Sequence, residues 1–319
     1  MPEPHPTLDQ LRVLLAVVEE GSFSAAARRL NRAQSAITYA VQRLEEQLGA
    51  PLFDRSSYRA SLTEAGRSLM PRIRLIADEM NRLCDQARGI SEGLEPELTL
   101  VVDAMFPMEV VTEALRAFGA QFPTVPPRVY VESLGAATEL VLNGTCALGL
   151  LVAFTSQFEP LSLHPLIDIR LIPVAAPGHP LALVEGRIPR ENLRDQVQLV
   201  LTDRSPLTGD RDYGVFSART WRLADLGAKH AMLRAGLGWG GMPDHLVAED
   251  IAAGRLKRLH IPPEKGAAGE EGPLGEEGVV LPLCVAYRRA QPPGPAGRWL
   301  FRHVRERLKP KAENPENTA

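Results

Sequence analysis

Apolar residues recur at helical spacing along the first ninety positions. Leu8, Leu11, Leu15 and Val18 follow at steps of three and four, which puts one apolar stripe on a first helix. Thr7 and Gln10 form a capping-box pair at its start, and Gly21 ends it. Ser22 or Ser24 caps a short second helix, Ala25 to Leu30, whose three alanines let a neighbour pack close. Asn31 and Arg32 make a turn. Gln34 to Leu48 reads as a third helix that buries Ile37, Val41, Leu44 and Leu48. Asp54 to Ser61 forms a basic hairpin wing. Thr63 then caps a helix to about Ile90. Along it Leu69, Ile73, Ile76, Met80, Leu83, Ala87 and Ile90 alternate steps of four and three, the heptad seam of a dimeric coiled coil. Pro71 interrupts that pattern and predicts a kink or break.

After residue 92 the pattern changes to short apolar runs alternating with helical stretches, which indicates an α/β region with parallel sheets. Strands are predicted at 97–103, 128–132, 146–152 and 197–202, with a long extended run at 161–175. Helices are predicted after the AMFP loop, with Val110, Leu115 and Phe118 inward, and around Leu140 and Val141. Others are expected near 189–193, at Ala228–Arg234, and at Trp299–Leu308. Gly236, Gly238, Gly240 and Gly241 break the helix before them. Residues 279–287 return as a strand, so the chain leaves a first lobe, builds a second and comes back. The predicted domains are 1–62, a helix-turn-helix with its wing; 63–92, a linker helix; and 93–308, two lobes. The first lobe takes about 93–160 and 266–308, the second about 161–265. Residues 262–278, rich in Gly, Glu and Pro, read as a surface loop, and 309–319 as a disordered tail.

At 100° per residue, the polar face of the third helix carries Ser35, Tyr39, Gln42 and Arg43. These groups suit base edges and phosphates, and Ser24, Arg32, Gln34 and Thr38 flank them. In the wing, Arg55, Tyr58 and Arg59 suit phosphate or minor-groove contact. Residues 22–60 hold six arginines against three acids, a local excess of three positive charges within a chain of net charge −3. That local imbalance points to nucleic acid.

These residues resemble the LysR-type transcriptional regulators. The resemblance lies in GSFSAAARRL (21–30), QSAITYAVQRLEEQLGAPLFDR (34–55) and LTEAG (62–66). It continues through AGLGWGGMPDHLV (235–247) and covers about 300 residues. Two positions depart from the family's pattern. Leu14 stands where an aromatic is common, and Ala33 where Ser or Thr usually caps the recognition helix. The resemblance implies an all-α winged helix-turn-helix with a long linker helix, followed by a two-lobed effector domain arranged like the periplasmic binding proteins. It implies antiparallel linker-helix dimers, tetramers, and winged domains on two half-sites of a dyad-symmetric operator.

Ligands of such folds sit at strand C-termini and helix N-termini inside the cleft. That selects Asp103, Met105, Phe106, Ser133 and Leu134 in one lobe, and Thr202, Asp203 and Arg204 in the other. Trp221, Arg222 and Trp239 come from the family-like segment. An acidic Asp103 favours a cation or merely a helix cap; Arg204 and Arg222 favour a carboxylate. The expected partners are double-stranded DNA, a small effector such as a carboxylate or aromatic metabolite, a second copy of the chain, and RNA polymerase if the protein activates.

Composition narrows this little. No apolar run approaches the roughly 20 residues of a membrane span, and MPEPHPT is no signal peptide. Cys84, Cys146 and Cys284 follow no metal or CxxC spacing and fit a reducing cytoplasm. There is no HExxH and no GxSxG, so neither a metal, a cofactor nor catalysis is expected. Two rivals remain: a thiol-based redox sensor on the same scaffold, and a ligand-binding protein or enzyme whose winged domain serves assembly only.

Overall fold

The computed structural model describes residues 5–54, 60–153, 159–208, 214–261 and 278–308. The chain divides into two compact units, Met1–Ser91 and Glu92–Ala319.

In the first unit, α1 (Leu8–Glu20) opens on the expected capping box. Thr7 Oγ1 accepts from Gln10 N, and the Gln10 side chain accepts from Thr7 N at 2.7 Å. The helix packs against both α2 (Phe23–Leu30) and α3 (Gln34–Leu48). Its apolar arc is therefore wider than one stripe. Leu14 and Val17 are fully buried, whereas Leu8, Leu15 and Val18 lie partly buried at the edge of the core. Ser22, rather than Ser24, caps α2, and Asn31 closes it in the left-handed conformation that Asn tolerates. On α3 the inward residues are Ile37, Val41 and Leu44, followed by Glu45 rather than Leu48. Leu48 is more than a third exposed, because it is the last residue before the Gly49 cap and projects past the core. The buried Glu45 carboxylate accepts from Leu52 N at 2.7 Å and Phe53 N at 3.0 Å, which sets the path into the hairpin.

That hairpin pairs β1 (Phe53–Asp54) with β2 (Ser61–Leu62). Its tip, with Arg55, Tyr58 and Arg59, lies outside the described residues. Thr63 Oγ1 then accepts from Gly66 N at 2.9 Å and starts α4 (Glu64–Ser91). Gly66 is required here, since a Cβ would lie 2.3 Å from the Leu52 carbonyl. The predicted break at Pro71 does not occur, and α4 is helical throughout. Proline removes one N–H, and the Arg67 turn it would have served is open to water. Met70 and Ile73 complete the core of the unit, with Leu69 packed beside them. Ile76, Leu83 and Ile90 stay about half exposed.

The second unit is built on one mixed sheet. Its first lobe holds β3 (Leu98–Asp103), α5 (Met108–Gln121), β4 (Pro127–Glu132), α6 (Gly135–Leu142) and β5 (Leu148–Val152), with β3 parallel to β4 and to β5. β6 (Leu161–Ala175) crosses over. The second lobe holds α7 (Arg190–Arg194), β7 (Gln198–Leu201), β8 (Thr220–Leu223), α8 (Leu226–Arg234), β9 (Trp239–Pro243), α9 (Asp244–Ala252) and β10 (Lys257–Arg258). β11 (Val279–Arg288) returns, and α10 (Pro295–Leu308) closes the first lobe against α5. The strand order is β4-β3-β5-β11-β6-β9-β7-β8, with β10 beside β6. The expectation of purely parallel sheets is corrected by the crossovers. β6 and β11 carry the chain out and back, so they pair antiparallel with each other and with the strands they meet.

The glycine run ends α8, with Gly236 at positive φ, and the chain then enters β9 from Trp239. Cβ atoms on Gly238 and Gly240 would lie 2.6 Å from the carbonyls of Val197 and Leu199. β9 thus runs so close to β7 that only glycine fits. β7 and β9 pair at Gln198 and Trp239.

Candidate functional site

The outward face of α3 holds Gln34, Ser35 and Tyr39 in the open, with Thr38, Gln42 and Arg43 half-buried beside them. Tyr39 is 64% exposed, unusual for a ring without a binding partner. Arg43 pairs with Glu46 at 2.7 Å, and Arg32 makes a two-pronged pair with Asp9 at 2.7 and 2.8 Å. Arg32 therefore holds α3's leading turn to α1 rather than reaching freely outward. Ala33 occupies the N-cap with no side-chain hydrogen bond, and neither Asn31 nor Ser35 supplies one. A polar depression lies at this uncapped end, lined by Ser24, Ala27, Arg28, Asn31, Arg32, Ala33 and Gln34. Arg28 was not among the residues singled out from sequence. Its place in the last turn of α2, one turn before Asn31, was the available signal.

In the second unit a cavity of about 180 Å³ opens between the lobes. Met105 and Leu134 reach it from the first lobe, Leu171 and Leu281 from the crossover strands, and Phe216 and Trp239 from the second lobe. Of the sequence candidates, only Met105, Leu134 and Trp239 line it. Phe106 and Ser133 are buried in the first lobe. Trp221 and Arg222 sit on the edge strand β8 and do not line the cavity. Thr202 donates its hydroxyl to the Leu223 carbonyl.

Asp103 acts beneath the cavity rather than in it. Its carboxylate accepts from Met105 N and Leu134 N, both at 2.9 Å, and so holds two wall residues in place. Leu134 has φ 60°, a strained value for a branched side chain. Burial pushes Asp103 up to about 7, against the two N–H bonds that lower it, and nearby Asp203 adds to the rise. Asp203 and Arg204 span the lobes. The Asp203 carboxylate accepts from Ala136 N at 3.0 Å, at the N-terminus of α6, and from Ser205 N and Oγ. Arg204 pairs with Glu132 across the same rim. Both candidates are thus already engaged with protein.

Two polar side chains of the cavity wall escaped the sequence reading, Lys229 and Gln198. Gln198 is satisfied on both ends, by Gly214 O and by Phe216 N and Ser217 N. Lys229 lies between Leu226 and Leu233 on the buried stripe of α8, so a cation at an apolar position was the legible signal. Cys146 and Cys284 are buried, and burial pushes their thiols to about 11 and about 12. A thiolate is disfavoured at both, whereas Cys84 is exposed on α4. No group of His, Cys, Asp or Glu among the described residues could hold a metal ion, and none of their helices is long and apolar enough to cross a membrane.

Comparison with known proteins bears on both regions. Residues 8–67 match the family described as bacterial regulatory helix-turn-helix protein, lysR family, and residues 91–309 match the LysR substrate binding domain. The probable HTH-type transcriptional regulator YhaJ of Escherichia coli is 29% identical over 315 residues, covering 93% of this chain and 95% of that protein. The HTH-type transcriptional regulator AceR of Acinetobacter baumannii is 29% identical over 254 residues, covering 79% and 84%. A solved Corynebacterium glutamicum OxyR C206 mutant superposes with TM-score 0.51 at 20% identity, covering 96% of this chain and 94% of that one, which attests the fold alone. The chain belongs to the LysR family of bacterial regulators: it is a DNA-binding transcriptional regulator with a two-lobed effector-binding domain.

Proposed function

We propose that the cavity between the lobes is the effector site, and that α3 reads a dyad-symmetric promoter site through Ser35, Tyr39, Gln42 and Arg43. The observation that carries the first half is the origin of the cavity wall, which draws residues from both lobes and both crossover strands. A molecule bound there touches everything whose relative position a hinge alters, so its affinity must differ between lobe arrangements. Asp203 and Arg204, which tie the rim, are the contacts such a rearrangement would strain. DNA and effector are then coupled, each changing the affinity of the other by the same factor.

The uncapped start of α3, flanked by Ser24, Arg28 and Arg32, suits a backbone phosphate, and Arg55, Tyr58 and Arg59 of the wing suit the flanking backbone. Ile76, Leu83 and Ile90, half exposed along α4, are the core of a dimer seam that includes Met80 and Ala87. Leu69 and Ile73 belong instead to the unit's own core. A dimer, and a tetramer built as a dimer of dimers, presents paired winged domains to the operator, and activation would bring in RNA polymerase. The protein acts in the cytoplasm, by binding alone, with no cofactor and no reaction of its own.

The test is selection of genomic fragments by the purified chain at about 150 mM salt, where non-specific binding is weak. Enrichment of a dyad-symmetric site is expected. No enrichment from folded, dimeric protein would overturn the promoter reading and favour a winged domain that serves assembly only.

A further inference from the structure

Lys229 is 5% exposed and sits on the wall of an otherwise apolar cavity. Its ammonium makes one hydrogen bond, Nζ to the Gly241 carbonyl at 2.7 Å, and no carboxylate lies within ion-pair distance among the described residues. An ammonium has three N–H donors, so two are left unused. Among the described residues, the carboxylates beside the cavity are engaged with backbone groups: Asp103 with Met105 N and Leu134 N, and Asp203 with Ala136 N and Ser205. Trp239, also on the wall and 1% exposed, buries an indole Nε1–H that has no acceptor. A buried cation without a counter-charge is costly to the folded chain, and so is an unmet buried N–H. Burial alone pushes the Lys229 ammonium down to about 8, so at neutral pH most of it still carries its proton. Both residues line one cavity, and an acceptor oxygen carrying negative charge is the kind of atom that relieves a buried cation.

We infer that the effector is a small monocyclic carboxylate whose anionic group pairs with Lys229 and whose ring fills the apolar space between the lobes. This rests on the reading of the cavity as the effector site. Size supports the ring: about 180 Å³ slightly exceeds the roughly 150 Å³ dry cavity that accepts benzene. The walls supply ring-sized apolar contacts from Phe216, Pro173, Pro243 and Leu281. Charge supports a carboxylate over a phosphate ester, because Lys229 is the one cation among the described residues that line the cavity. The two free Nζ donors match the two oxygens of a carboxylate, and a charge-assisted bond of this kind is about twice as strong as a neutral one. Lys229 also ties α8 to β9 through Gly241, so an anion drawn to it acts directly on the joint between the two elements.

The experiment is calorimetric titration of the full-length protein with two probes of equal shape, benzoate and the neutral benzamide, on the native chain and on Lys229→Met and Trp239→Phe. The native chain should prefer benzoate by at least about tenfold. Lys229→Met should lose that preference while still binding benzamide, and Trp239→Phe should weaken benzoate by a smaller factor. Specific DNA binding by each preparation reports that the variants are folded. Equal affinity for both probes in the native chain, or a preference that survives Lys229→Met, overturns the carboxylate inference and leaves the cavity reading standing. Binding of neither probe by native protein that still binds DNA overturns both. The comparison of the two probes on the native chain keeps the inference testable if Lys229→Met fails to fold.

Discussion

In the N-terminal unit several cations stand at the surface beside an acid: Arg29 with Glu19, Arg32 with Asp9 and Arg43 with Glu46. In the C-terminal unit Lys229 is buried, with a carbonyl for company. The difference follows the partner each region is built for. Exposed pairs are screened and worth about 0–1 kcal/mol, so a nearby phosphate can draw an arginine from its acid at little cost. A buried ammonium has no water and no counter-ion to exchange, and only a molecule entering the cavity can change its surroundings. The first arrangement suits a long polyanion met at a surface. The second suits a small anion enclosed between lobes.

The largest effect that would test this contrast concerns pH. The Lys229 ammonium sits at about 8 in the folded chain, below its ordinary 10.5. Between those values the folded chain has released a proton that the unfolded chain still holds, so stability rises with pH across that window. The contribution is on the order of 3 kcal/mol. Urea unfolding of native protein and Lys229→Met from pH 7.5 to 10.5 should give a shallower rise in the variant. Parallel curves would remove the buried charge from the comparison. Next, Tyr39→Ala and Gln42→Ala should each weaken binding to a selected operator by about 1–3 kcal/mol in fluorescence anisotropy. No loss in either would exclude the assigned face. A smaller change is expected of Ala33→Ser, which supplies the missing cap of α3 and should stabilise the unit by about 1 kcal/mol in urea melts. The smallest is Glu46→Ala, which releases Arg43: stability should move by less than about 1 kcal/mol while affinity for DNA rises. A large loss of stability would show that the surface pairs are not the weak, exchangeable contacts described.

Much of the N-terminal unit was legible because its signals are local. The Thr7–Gln10 box, Gly21, Asn31 and the bounds of α3 each depend on residues within one turn of one another. The exceptions are long-range. Glu45 is buried because it serves Leu52 and Phe53, and Leu69 and Ile73 leave the heptad seam for the core beside them. In the cleft, the strand-end rule selects Met105 and Leu134 and the family-like segment selects Trp239, and all three line the cavity. Trp221 and Arg222 lie off the cavity wall because β8 is an edge strand, which periodicity does not reveal. β9 was missed because its glycines imitate a loop; they serve instead a close approach to β7.

From residue order alone came the family, the order of elements, the caps and the apolar faces, since each is written in spacings of a few residues. Tertiary structure decided which lobe residues share a cavity and that Asp203 and Arg204 are spent across its rim. It also decided that a lysine on an apolar stripe meets a carbonyl, with no counter-charge among the described residues. Burial and pairing are properties of groups far apart in the chain. Lys229 and Asp103 differ by more than a hundred positions, and only the folding of both lobes around one cleft determines that neither answers the other's charge.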